Sequence, residues 1–155
     1  LEQTIKTYYD NWKFKHPKPQ NFIHTAERAS GLNLDWYLQD FATTTNTIDY
    51  RIVSVDRENN TQNILLERVG LMPMPIELLV TYDDGNTQMF YIPLQMMRGE
   101  KSFDRPVQVL KDWTWAAPTY RVAVKNKKNI SKIEIDPSGR MADINRKDNL
   151  LEQTP

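Results

Sequence analysis

Apolar side chains in the first third of the chain recur with the period of an α-helix. The first set lies at positions i, i+3, i+4 and i+7 and comprises Ile5, Tyr8, Tyr9 and Trp12. Prolines within residues 15–19 end this helix, because proline cannot continue it. Two more apolar faces follow: Phe22, Ile23, Ala26 and Ala29, then Leu34, Tyr37, Leu38 and Phe41. The sequence therefore predicts about three helices over residues 1–45.

After about residue 46 the apolar period falls to two, as in Ile76, Leu78, Val80 and Tyr82. The turn residues Asp-Asp-Gly-Asn at 83–86 predict one hairpin, and Asn-Lys-Lys-Asn at 126–129 predicts a second. Seven strands are predicted over 47–55, 62–69, 76–82, 87–92, 107–111, 119–125 and 130–135.

Short strands separated by turn signals are typical of a β-sandwich. The predicted fold class is therefore α+β, with a helical segment followed by a seven-stranded antiparallel Ig-like β-sandwich. The predicted domains are a helical segment at 1–45, the sandwich at 46–146 and a tail at 147–155.

Composition narrows the class of partner. The chain has 155 residues, 20 basic and 20 acidic, so it lacks the basic excess of a nucleic-acid-binding module. No apolar stretch approaches the roughly 18 residues that would span a bilayer. Cysteine is absent, so no disulfide, thiolate nucleophile or cysteine-type zinc site is expected. Because the sequence starts at Leu1 inside a helical pattern, we expect it to be a piece of a longer protein.

The residues of common hydrolytic sites are missing from the sequence. The two histidines, His16 and His24, accompany neither a Gly-x-Ser-x-Gly nor a His-Glu-x-x-His motif. We therefore predict no catalytic, cofactor-binding or metal-binding residue. The acids of 83–84 fit a hairpin turn better than a calcium loop. A further polar cluster could hold a cation, although a solvated tail with turn caps is the favoured interpretation: Asp136, Asp143, Asn145 and Asp148.

Three aromatic residues are candidates for an interface or for ligand stacking: Trp113, Trp115 and Tyr120. The two tryptophans alternate along an extended stretch, so they could together stack a sugar ring. The alternative is that one or both pack at the junction with the helices or with a neighbouring domain.

Several segments in order resemble a known family. They are YYDNWKFKHPKPQNF at 8–22, ASGLNLDWY at 29–37, VGLMPMPI at 69–76, YDDG at 82–85 and IDPSGRMADIN at 135–145. The helical pair resembles the last helices of the catalytic domain in gluzincin, aminopeptidase N-like zinc metallopeptidases. The later segments resemble the β-sandwich that follows that domain in bacterial members. The resemblance covers nearly the whole chain.

The resemblance implies that this chain is a non-catalytic C-terminal portion of a zinc aminopeptidase, supporting its catalytic domain and cleft. In that family a His-Glu-x-x-His helix and a downstream Glu hold zinc, and none of those residues matches a position here. Zinc is thus expected in the parent catalytic domain, which would be this chain's partner and would bind the peptide substrate. The resemblance also suggests an exported bacterial protein. The alternative function is an independent β-sandwich module that binds peptide or carbohydrate.

Overall fold

The computed structural model describes residues 2–99, 101 and 103–153. The chain divides into two compact units. A helical unit comprises Leu1–Thr45 and Met96–Lys101, and a sheet unit comprises Asn46–Gln95 and Ser102–Pro155. Each unit is described separately below.

The helical unit contains α1 (Glu2–Trp12), α2 (Pro19–Ser30) and α3 (Asp35–Thr43), which confirms the three predicted helices. Pro19 occupies the first turn of α2, where its missing N–H costs no hydrogen bond. Gly31 ends α2 at a φ of 72°, and its N–H donates to the Glu27 carbonyl at 2.7 Å. α1 packs on α2 through an edge-to-face contact of Tyr8 with Phe22. None of the described helices is long and apolar enough to cross a bilayer.

The sheet unit contains eight strands within the described residues. They are β1 (Tyr50–Glu58), β2 (Thr61–Arg68), β3 (Ile76–Tyr82), β4 (Thr87–Ile92), β5 (Gln108–Val109), β6 (Thr119–Lys125), β7 (Ile130–Ile135) and β8 (Leu150–Glu152). One sheet has the order β1-β2-β6 and the other β5-β4-β3-β7-β8. All neighbouring pairs are antiparallel except β4 with β5, which is parallel. The α+β class is thus confirmed, with two mostly antiparallel sheets.

The structure corrects the predicted strand set in two respects. An eighth strand, at 150–152, lies in the segment predicted as a tail, and it pairs with β7. Three residues are too few to display an alternating pattern, so the sequence carried no signal for it. The wholly antiparallel arrangement is also wrong, because β5 joins β4 in parallel over two residues.

One of the two predicted hairpins is confirmed. Residues 83–86 join β3 to β4, with Gly85 at a φ of 79°. Residues 126–129 instead connect strands of different sheets, because β6 pairs with β2 while β7 pairs with β3. A turn signal marks a reversal of the chain but leaves the choice of strand partner to packing.

Burial follows the predicted alternation in β3 but not in β4, where residues 89–92 are all buried. In β3 every second residue is buried, beginning and ending with Ile76 and Tyr82. The largest fully buried side chains of the unit include Tyr50, Ile64, Leu66, Leu78, Phe90, Ile92, Ile130 and Ile133. Strands of both sheets therefore contribute buried apolar side chains.

Candidate functional site

Trp113 is buried, with 3 % of its surface exposed. Its indole N–H donates to the Ala117 carbonyl at 2.8 Å, and its backbone N–H donates to the Pro93 carbonyl at 2.8 Å. Its ring lies 5.5 Å from that of Tyr50, edge to face, and 5.2 Å from that of Tyr120. Both N–H groups of Trp113 thus have hydrogen-bond partners, and two aromatic rings pack against its indole. Its ring is therefore not accessible to a ligand.

Trp115 is 56 % exposed. The guanidinium of Arg68 lies 5.8 Å from its ring centre and donates to its carbonyl at 2.8 Å. Tyr120 is half-buried, its hydroxyl donates to the Lys111 carbonyl at 2.6 Å, and burial raises its pKa, helped by the charge of Asp112. The two tryptophans therefore form no shared exposed platform, and an interface role for Trp115 stays a prediction.

The polar cluster of the C-terminal part has turn-capping roles. The Asp136 carboxylate accepts from the backbone N–H groups of Arg140 and Met141 at 3.1 and 2.9 Å, and from the Arg146 guanidinium at 3.1 Å. These donors hold Asp136 at a φ of 48°, which is uncommon for a residue with a side chain. Turn capping is thus confirmed for Asp136, whereas the prediction of a solvated tail is wrong here, because Asp136 and Asp143 are buried.

Asp143 serves a longer-range purpose. One carboxylate oxygen accepts from the Asn145 N–H at 2.8 Å, and the other accepts from the Tyr50 N–H at 3.0 Å. Next to it, the Asp148 carbonyl accepts from the Ile52 N–H at 3.0 Å. The segment around 143–148 therefore occupies outward N–H groups of β1, which would otherwise be an open sheet edge.

Three carboxylates approach one another in this region. Burial raises the pKa of Asp49, and the negative charges of Asp143 and Asp148 raise it further, while Arg51 opposes them. One carboxylate oxygen on each of Asp49 and Asp148 is buried without a hydrogen-bond partner in the part of the chain that is described. Within 2–99, 101 and 103–153, however, no three His, Asp or Glu side chains are grouped closely enough to hold a metal ion. The described carboxylates therefore provide no candidate metal site.

A cleft of about 630 Å³ opens beside the turn at 126–129 in the sheet unit. Its polar side chains are largely bonded to one another. The Arg57 guanidinium contacts the Asn129 side chain and the Lys127 carbonyl, while Gln62 bonds both the Lys128 carbonyl and the Ile130 N–H. Asp83 accepts from Asn129. These contacts tie β1 and β2 to the turn, so the cleft offers few unused polar groups.

The helical unit carries large exposed apolar side chains on α1, after α1 and on α3. They are Ile5, Tyr9, Phe14 and Phe41. Phe14 is 99 % exposed and has a φ of 63°. A bulky residue in that region costs on the order of 1–2 kcal/mol. None of the nine residues of α3 is buried, although the helix carries a stacked pair, Tyr37 and Phe41, with ring centres 5.8 Å apart.

The sequence analysis did not predict the cleft that α1 and α2 form together, which is lined by basic side chains. His16 follows α1, and His24 lies on α2 four residues before Arg28. His24, Arg28 and Lys15 line one cleft together. The i, i+4 spacing on α2 was visible in the sequence, but Lys15 could be placed opposite it only once the helix packing was known.

No family model, no curated protein and no solved structure matches this chain.

Proposed function

We propose that this chain is the non-catalytic C-terminal portion of a zinc-dependent aminopeptidase-like metallopeptidase, and that its helical unit packs against an upstream catalytic domain of the same polypeptide. The observation that carries the proposal is the exposed apolar surface of the helical unit, defined by Ile5, Tyr9, Phe14 and Phe41. Ile5 and Tyr9 lie four residues apart on one face of α1, and exposed apolar side chains that share a face mark interaction surfaces. The order and spacing of the segments that resemble the gluzincin family supply the identity of the partner.

Phe14 is the strongest single support for this surface. Its left-handed backbone conformation turns a large ring entirely into solvent, which is unfavourable in the isolated chain. A partner that buries the ring would recover about 2 kcal/mol of apolar transfer free energy. Burial of Phe41, which is 67 % exposed, would add apolar transfer free energy, and its stacked neighbour Tyr37 is also incompletely buried.

The sheet unit would then serve as a rigid support and a wall of the cleft. We further propose that its two sheets pack face to face as an Ig-like sandwich. This is supported by the apolar face that each sheet presents and by the contact of β1 with β7 and β8. In this function the chain takes no part in the chemistry, and zinc would be held by upstream residues.

The first experiment is to read the coding sequence upstream of Leu1. A His-Glu-x-x-His motif with a downstream Glu supports the proposal, and an open reading frame without it contradicts the peptidase assignment.

A second experiment tests the surface in the longer polypeptide with Phe14→Ser and Phe41→Ser. We expect each to lower the thermal stability of the whole protein and its hydrolysis of an aminoacyl p-nitroanilide. The matched control is Leu71→Ser, since Leu71 is 66 % exposed but lies in the sheet unit. Equal effects of all three variants would contradict packing through the helices.

An independent peptide-binding module is the second candidate, and one observation favours it. β6 is an outer strand of seven residues and pairs only with β2 among the described strands, so an extended peptide could add to it. Titration with peptides and glycans, followed through the fluorescence of Trp115, tests this function. A saturable change favours a binding module, and flat titrations count against it.

A further inference from the structure

We infer that the cleft between α1 and α2 binds a small ligand through a phosphate or carboxylate group, which Lys15, His24 and Arg28 recognise. The cleft has a volume of about 400 Å³, within the range of small-molecule sites. Its lining comes entirely from the helical unit. The inference is independent of the proposed peptidase origin of the chain.

The lining is rich in hydrogen-bond donors and contains no acidic residue. Ammonium and guanidinium groups donate hydrogen bonds and accept none, and histidine becomes donor-only when it is protonated. Such a set is complementary to an oxyanion, whose oxygens only accept. A sugar or a neutral amide would need acceptors as well, which these three side chains do not provide together when charged.

Arg28 is available for a ligand. Its side chain makes no hydrogen bond or ion pair with any residue in 2–99, 101 or 103–153. Its planar fork matches the geometry of a phosphate or carboxylate, which it can bind with two parallel hydrogen bonds. His24 lies one helical turn before it on the same face of α2, so the two side chains point toward the same region.

Lys15 completes the cluster from the other side of the cleft. Its ammonium donates to the Asn11 carbonyl at 2.7 Å and lies 5.9 Å from the ring centre of Trp12. These two contacts hold the ammonium near the cleft while leaving further N–H donors unused. Asn21 also lines the cleft, and its side-chain oxygen is already engaged by the Lys18 N–H, so its amide hydrogens remain as donors.

The acidic residues of α1 and α2 do not neutralise this cluster. Glu2 pairs with Lys6 at 2.7 Å, and Asp10 pairs with Lys13 at 3.6 Å. A Glu27 oxygen accepts from the Leu34 N–H at 2.9 Å. Within α1 and α2 as described, no carboxylate forms an ion pair with Lys15, His24 or Arg28, so an anionic ligand would supply their counterion.

The test is an NMR titration of the chain with inorganic phosphate, with sodium chloride at matched ionic strength as the reference. We expect saturable shifts of the Arg28 side-chain and His24 ring signals, at millimolar phosphate for so exposed a site. Shifts that chloride reproduces, or that do not saturate, would exclude phosphate as the ligand, and the inference would then fail unless a carboxylate binds.

Two arms distinguish the sources of the anion. One uses inorganic phosphate, and the other compares a dipeptide with a free C-terminal carboxylate to its C-terminal amide. Tighter phosphate binding identifies a phosphorylated ligand, and binding of the acid but not the amide identifies a peptide carboxylate. Failure of both arms overturns the inference.

Variants localise the site. Arg28→Gln should weaken binding about tenfold, the effect of losing one charged hydrogen-bonding group. Lys15→Gln should weaken it by about threefold or more. Lys13→Gln is the matched control, because Lys13 follows the same helix, also lies over an aromatic ring and does not line the cleft. Equal weakening by Lys13→Gln and Lys15→Gln would show only a diffuse charge effect and would overturn the site.

Discussion

The side chain of Tyr50 and the backbone of Met74 form two reciprocal hydrogen bonds. The Tyr50 hydroxyl donates to the Met74 carbonyl at 3.2 Å and accepts from the Met74 N–H at 2.8 Å. Pro73 and Pro75 flank Met74, and neither has an N–H to offer. The Tyr50 hydroxyl thus satisfies both backbone polar groups of Met74, whose proline neighbours have no N–H. Tyr50 itself is buried, with 1 % of its surface exposed.

Replacing this phenol should be costly. We expect Tyr50→Phe to lower the free energy of unfolding by about 1–3 kcal/mol, because it leaves the Met74 N–H and carbonyl unpaired. Urea denaturation measures the loss. Tyr120→Phe is the control, since that half-buried hydroxyl serves one carbonyl, and it should cost less. A loss at Tyr120 equal to that at Tyr50 would contradict the assigned role.

The same residue predicts a pH dependence at the alkaline end. Burial raises the pKa of Tyr50 to about 12, against about 10 in the unfolded chain. Between these values the folded state retains a proton that the unfolded state has lost, so stability falls as the pH rises through this window. The slope for this one group is about 1.4 kcal/mol per pH unit. Unfolding curves at pH 9 to 11.5 should show a shallower decline in Tyr50→Phe, and identical declines would be contrary evidence.

Substitution of Trp113 should lower the free energy of unfolding far more than substitution of Trp115. Trp113→Ala should cost about 3–5 kcal/mol, because it empties a packed aromatic site. Trp115→Ala should change stability by less than about 1 kcal/mol, because its ring is mostly in solvent. In chains that keep only one tryptophan, acrylamide should quench Trp115 and leave Trp113 largely protected. Equal quenching would indicate that Trp113 is not buried.

Gly70 should not tolerate a side chain. A Cβ there would lie 2.2 Å from the Thr47 carbonyl oxygen and 2.7 Å from the Asp49 nitrogen. Both are backbone atoms, so the segment must move, and Gly70→Ala should cost about 3 kcal/mol. Gly31→Ala is the comparison, because a Cβ there meets nothing within 4 Å and only the φ of 72° is unfavourable. That variant should lose about 1 kcal/mol in thermal unfolding, and the reverse order would disprove the close approach at Gly70.

Asp49 is expected to be a destabilising group at neutral pH. Burial and then the charges of Asp143 and Asp148 raise the pKa of its carboxyl above 3.8, so the folded state binds the proton more tightly than the unfolded state. The stability that the protonated carboxyl contributes is therefore lost as the pH rises from 3.8 through the higher pKa of the folded state. Asp49→Asn should be more stable than the original chain at pH 7, by up to about 1 kcal/mol.

That advantage should vanish near pH 3, where the carboxyl is protonated in both states. Thermal unfolding at the two pH values measures it. If Asp49→Asn were less stable than the original chain at pH 7, the charge of Asp49 would be stabilising, and the prediction would be wrong.

Local signals predicted much of the fold. Pro19 and Gly31 bounded α2 because their backbone limits act within a few residues, and the alternation from Ile76 onward revealed β3. Strand partners were harder, since the turn at 126–129 says nothing of which sheet receives β7. The network of Asp143 with Tyr50 joins residues 93 positions apart, so no local pattern contains it.

The candidate sites also depend on contacts between residues that are distant in the sequence. Burial of Trp113 depends on the rings of Tyr50 and Tyr120, which the sequence could not place around it. The anion cleft could be recognised only once the packing of α1 against α2 was known. The sequence alone indicated just the i, i+4 spacing of His24 and Arg28.

The five-stranded sheet ends in β5 and β8, two strands of two and three residues. Short outer strands give another molecule little backbone to pair with, so they discourage intermolecular β-sheet growth. β8 covers Lys132, Ile133 and Glu134 of the six-residue β7. Proteolytic removal of residues 150–152 would uncover a longer, more apolar template, and the trimmed chain would become prone to aggregation.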